Sequence, residues 1–133
     1  MPIAAGLFDV TLTPEAVSAT AQPAALGRFS IDKRFHGDLE ASSKGEMLSV
    51  GTATKGSAGY VALEKVDGSV HGRSGSFLLQ HSGSMRRGVG TLSVTVVPDS
   101  GTGALVGLTG TMVISVADGV HSYRFDYCIM DSN

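Results

Sequence analysis

Residues 56–83 read GSAGYVALEKVDGSVHGRSGSFLLQHSG, and this stretch decides the fold. Side chains alternate in it with period two, so that Tyr60, Ala62, Glu64 and Val66 share one face. A helix would repeat its apolar positions every three or four residues, whereas this pattern is that of a half-buried strand. Gly59–Val66 is therefore predicted as one strand and Ser69–Ser82 as the next. Asp67-Gly68 between them is the strongest hairpin signal in the chain, because Asp-Gly suits the left-handed dihedrals of a type I′ turn.

The same period runs through the flanking sequence. Gly27–Asp38 and Glu40–Thr54 read as two strands before this hairpin. Gly90–Val97 follows it and is ended by Pro98-Asp99-Ser100-Gly101. Thr111–Ala117 and His121–Cys128 form a last pair around a second hairpin turn, Asp118-Gly119. Gly6–Leu12 supplies the first strand. Pro14 to Pro23 reads as a loop, in which Thr13 and Pro14 are suited to open one helical turn. Eight short strands with no amphipathic helix predict an all-β, eight-stranded antiparallel barrel, since closure removes vulnerable edges. Gly45, Gly51, Gly72 and Gly75 fit the sharp bends of a barrel wall.

Composition bounds the function. The chain has 133 residues, a mass of 13.6 kDa, a net charge of −2 and a pI near 6.0. One domain is expected over residues 1–133. The absence of a basic excess argues against nucleic acid. Cys128 is the only cysteine. One thiol builds neither a disulfide framework nor a thiolate metal site, and its expected state is a buried, inert thiol. No signal peptide or membrane span is visible, so a cytoplasmic location without a membrane partner is expected. Charged residues are only 17% of the chain, and mean hydropathy is positive at +0.17. Either Ser, Thr and Gly cover the surface, or part of it is buried in a homo-oligomer.

The stretches 26–49, 56–83 and 96–112, with HSYRFDY at 121–127, resemble an uncharacterised bacterial domain-of-unknown-function family. That family is placed with the allene-oxide-cyclase-like barrels. The resemblance covers essentially the whole chain. It implies an eight-stranded antiparallel barrel, often oligomeric, and no particular activity. Plant allene oxide cyclases and dirigent proteins share the barrel and steer a reactive small molecule inside a cavity. Transfer of that role rests on fold analogy alone.

Familiar motifs fail on context. Gly101-Thr-Gly103-Ala-Leu-Val-Gly107 has the wrong spacing for a dinucleotide loop and leads into a strand, so it reads as a tight connection. Among the four histidines, His71 and His81 share a strand face but lie about 33 Å apart when extended, too far for one ion. No serine sits in a nucleophile elbow. Arg86-Arg87 reads as a solvated turn, with an anion clamp as the alternative. No metal or cofactor is implied.

Charge on apolar strand faces is more informative. Phe29, Ile31, Lys33 and Phe35 share a face, as do Glu46, Leu48 and Val50. His71, Arg73, Phe77, Leu79 and His81 form another, and His121, Tyr123, Phe125 and Tyr127 a fourth. An inward carboxylate is costly unless paired. Two readings follow. In the first, the barrel binds an apolar small molecule, with isomerase- or cyclase-like chemistry as its enzymatic form. Glu46 or Glu64, with pKa raised by desolvation, is then the acid/base and His81 its partner. Tyr60 and Tyr123 orient the ligand, and Lys33, His71 and Arg73 complete the lining. In the second, the charges form structural pairs and the chain is a non-catalytic oligomeric module.

Overall fold

The computed structural model describes residues 2–130. It is a closed antiparallel barrel in which each strand pairs with its neighbours in sequence and the last closes on the first. The strands are β1 (Ile3–Glu15), β2 (Gly27–Gly37), β3 (Leu39–Gly51), β4 (Ala58–Val70), β5 (Arg73–Arg86), β6 (Val89–Val96), β7 (Leu108–Ala117) and β8 (Val120–Ile129). Two single 3-10 turns, Gln22–Ala24 and Gly103–Leu105, lie in the longer connections. Among the described residues, no helix is long and apolar enough to cross a membrane.

The strand order agrees with the sequence reading, and two local expectations do not. Asp67-Gly68 is not a turn. β4 continues to Val70, and Ser69 and Val70 pair with Ser74 and Arg73. The turn is His71-Gly72, with φ of +47° and +80°. The reason is visible in the alternation: Val66 and Val70 are both fully buried, so one inward face runs past Asp67-Gly68. Pro14 does not open a helical turn either, because β1 extends to Glu15 and pairs there with Arg28. The Asp118-Gly119 turn forms as expected, with positive φ at both residues.

The barrel is packed at one end and open at the other. At the closed end lie the β2–β3 and β4–β5 turns and the β6–β7 connection. There Phe35, Leu39, Val70, Phe77, Leu105 and Phe125 are essentially inaccessible. Phe77 and Phe125 stack at 5.7 Å. The β6–β7 connection, which includes the glycine-rich run, folds against β5. Thr102 Oγ1 accepts the Ser76 N–H at 3.0 Å, and Leu105 seals the floor.

Tyr123 belongs to this end. Its hydroxyl accepts the Leu39 N–H at 2.9 Å and donates to the His36 carbonyl at 2.8 Å. A Cβ on Gly6 would come within 2.8 Å of that oxygen, so the glycine makes room for it. Tyr123→Phe should lower unfolding free energy by about 1–3 kcal/mol, since it strands the buried Leu39 N–H and removes the bond to the His36 carbonyl. Urea denaturation reads this directly; an unchanged midpoint would mean that the tie contributes nothing.

Candidate functional site

The inward faces of β2, β4 and β5 meet at mid-barrel. Lys33, Glu64 and His81 all point inward there and are only 5%, 1% and 5% exposed. Register brings them together: Glu64 lies between Gly45 of β3 and Leu79 of β5, and Ala62 lies beside His81. Gly45 lets β3 approach closely, since a Cβ there would come within 2.9 Å of the Glu64 Cβ.

Glu64 is fully satisfied. Its Oε1 accepts the Ser43 hydroxyl at 2.6 Å. Its Oε2 accepts Lys33 Nζ at 2.9 Å and His81 Nε2 at 2.6 Å. The Lys33 ammonium also stands 4.9 Å from the Phe8 ring centroid and 5.3 Å from that of Phe35. Aromatic faces attract a cation, so they offset part of its lost hydration. Desolvation alone would raise the Glu64 pKa. The His81 hydrogen bond, the Lys33 charge and the Ser43 hydroxyl outweigh it and lower the value to about 2. This corrects the expectation of a carboxyl tuned upward for proton transfer. Glu64 is a permanent carboxylate at neutral pH.

That carboxylate fixes His81. An ionised Glu64 only accepts, so His81 donates to it from Nε2 and Nδ1 is left for a second partner. Nδ1 faces the Tyr60 hydroxyl at 3.4 Å. Tyr60 is packed against Gly83, where a Cβ would lie only 2.4 Å from the ring. Burial, and then the Glu64 charge, push its phenol above the ordinary value. Tyr60 is neutral and able to donate.

Beyond Tyr60 the barrel opens. A recess of about 400 Å³ at the mouth is lined by Met47, Tyr60, Gly83, Met85 and Leu92, among others. Leu12 and Val116 continue the inward faces at this end and are 45% and 61% exposed. His121 shares the upper interior, 5.1 Å from Phe8. The mouth is thus an apolar funnel, and the Tyr60 hydroxyl, with His81 behind it, is the polar group at its floor.

A larger concavity, about 790 Å³, lies on the outer wall. Leu48, Val61 and Leu63 form its floor, and the β1–β2 connection overhangs it at Val17 and Leu26. It borders His81, but that ring points inward to Glu64. Its charges, Arg28 and Glu46, satisfy each other through two hydrogen bonds of 2.7 and 2.9 Å. The mouth, with an ionisable network beneath it, is the better candidate.

The structure therefore unites Lys33, Tyr60, Glu64 and His81 and separates the other residues expected with them. Glu46 is on the outer face, exposed, and the Arg28 hydrogen bond holds its carboxyl below the usual range. Ala41, Ser43 and Met47 lie on the inward face of β3 instead. His71 sits in the closed-end turn, where its ring contacts the Tyr127 hydroxyl and lies 3.7 Å from Asp38. Arg73 is exposed beside it. Tyr123 is committed to the backbone at the same end. Ser43, Met47, Met85 and Leu92 had not been singled out in sequence. Strand parity was the only signal for them. Cys128 is half-buried, and among the described residues no His, Cys, Asp or Glu cluster has metal-binding geometry.

Comparison with known proteins gives two findings. A family profile described as "Protein of unknown function (DUF3224)" matches residues 4–127. A crystal structure of a DUF3224-family protein with unknown function from Shewanella oneidensis MR-1 is 53% identical, with a TM-score of 0.92. The match covers 98% of this chain and 99% of that one. No curated protein matches.

Proposed function

This chain belongs to the DUF3224 family of proteins of unknown function, and we propose that its barrel mouth binds an apolar small molecule carrying a hydrogen-bond acceptor. The observation that carries this reading is the apolar recess floored by a neutral Tyr60 hydroxyl backed by His81 and Glu64. Mostly apolar concave sites with a few placed polar groups are the ordinary form of a small-molecule site. A carbonyl oxygen is the acceptor that fits. Tyr60 turns its single hydroxyl hydrogen from His81 Nδ1 to that oxygen, and Glu64, holding Nε2, fixes the His81 ring behind it. The enzymatic form of this reading is isomerase- or cyclase-like chemistry in an allene-oxide-cyclase-like barrel, with the placed Tyr60 donor polarising the carbonyl. Glu64 is then a positioning residue, not the acid/base. The cytoplasmic setting expected from the sequence is part of the same proposal.

One observation favours a second reading. Glu64 has a partner for each oxygen and the lower barrel is packed solid, as in a purely structural module. The two readings differ at the mouth. Native mass spectrometry of protein purified from its own host should show a non-covalent adduct that is lost on denaturation. Leu92→Arg, which changes an exposed rim residue, should lose the adduct while keeping wild-type stability. A protein without adduct that also fails to bind an apolar aromatic ketone such as 2-acetylnaphthalene would favour the structural module.

A further inference from the structure

Seven of the eight strand junctions are continuous ladders, and the eighth is not. β6 and β7 are joined through a single residue pair, Thr95↔Thr111. From there toward the mouth, Val89–Val94 of β6 and Met112–Ala117 of β7 have no ladder partner on that side among the described residues. Two free backbone edges result. Such edges template pairing with another chain, and soluble proteins usually blunt them with charge, proline or a covering segment. Neither strand does so. VGTLSVTV and LTGTMVISVA contain no proline and no Lys, Arg, Asp or Glu, whereas every other strand carries at least two such charges. Large apolar side chains are exposed on their outward faces as well, Val89 at 71% and Val113 at 61%. On β8, Asp126 pairs in register with Thr111 and faces outward by alternation. Its Oδ1 is buried without a hydrogen-bond partner. The accessible surface is 7918 Å², above the roughly 6,500 Å² expected for a monomer of this mass.

We propose that the free β6 and β7 edges form an isologous interface with a second copy of this chain. The occupant follows from the charge pattern. In a two-fold interface each strand meets a copy of the same surface, and any charge near the axis would meet its like. Among the described strands these two alone carry no charge of their own, and the nearest charges are Arg86 and Arg124 on the neighbouring strands, opposite Val89 and Val113. Their Val, Thr and Ser side chains also suit cross-strand pairing. The inference stands apart from the ligand reading because it uses backbone edges and outward side chains, although Gly90, Thr91 and Leu92 of β6 also line the mouth recess.

Sedimentation velocity over a concentration series tests it. The wild type should be a dimer that dissociates on dilution. Ser93→Lys on β6 and Ser115→Lys on β7 change outward, exposed positions and should leave folding intact. Each should weaken the dimer at least about tenfold, by setting lysines against their own copies across the axis. Leu63→Lys on the outer β3–β4 wall should leave it unchanged. A wild type that stays monomeric throughout overturns the proposal. So does a dimer dispersed by Leu63→Lys but not by the two serine variants.

Discussion

Lys33→Met should destabilise the protein by about 3–5 kcal/mol, the usual cost of breaking a buried pair. The Glu64 carboxylate is 1% exposed and would keep its Ser43 and His81 partners but lose its compensating cation. Its remaining escape is to take up a proton, which costs free energy at neutral pH. Glu64→Gln should cost a similar amount, because it leaves the Lys33 ammonium buried against Phe8 and Phe35 without a counter-charge. The double variant Lys33→Met with Glu64→Gln removes both charges and keeps an acceptor for His81. It should lose far less than the sum of the singles, with a coupling of about 2–3 kcal/mol. Urea denaturation of the three variants measures the cycle. Additive losses would mean that Lys33 and Glu64 do not stabilise one another and that the network is misdrawn.

The second large effect is on acid stability. Glu64 titrates near 2 in the folded protein and at about 4.5 in the unfolded chain. The folded value is depressed, so the native state binds its proton later. The resulting stabilisation is complete above pH 4.5 and is lost as pH falls from 4.5 toward 2. At 1.36 kcal/mol per unit, the difference amounts to about 3 kcal/mol. Exposed carboxylates such as Glu46 add little, because water screens their pairs. The wild type should therefore lose about 3 kcal/mol more than Glu64→Gln between pH 5 and pH 2. Denaturation midpoints across that range supply the comparison. Parallel curves for the two proteins would show that Glu64 is not held ionised by its neighbours.

Much of this was legible in the sequence, because period two is a strong signal wherever one face is buried. Parity alone put Tyr60, Ala62, Glu64 and Val66 on one wall and Lys33 between Ile31 and Phe35. The misreadings share one cause. Alternation says that two faces differ, but not which of them turns inward. On β3, Leu48 and Glu46 face out beneath the β1–β2 connection, and Val50 is exposed on the same face. Depth was hidden too. Tyr123 and Tyr60 both face inward, yet one lies at the packed floor and the other at the open mouth, and only strand register separates them. The sign of the Glu64 shift was likewise out of reach. Desolvation was foreseeable from its apolar neighbours, but Ser43 and His81 come to it from two other strands. The local Asp-Gly signal lost to His71-Gly72 because burying Val70 required β4 to run on.

The most direct test of the ligand site is an NMR titration of the ¹⁵N-labelled protein with 2-acetylnaphthalene. An apolar ketone seated on Tyr60 should shift the amides of Met47, Tyr60, Gly83 and Leu92. It should also move the His81 Nδ1 resonance while leaving Nε2 protonated toward Glu64. Tyr60→Phe should weaken binding and abolish the Nδ1 response without unfolding the barrel. Shifts confined to Leu48, Val61 and Leu63 would place the ligand in the outer groove and contradict the account, as would a spectrum that does not change at all.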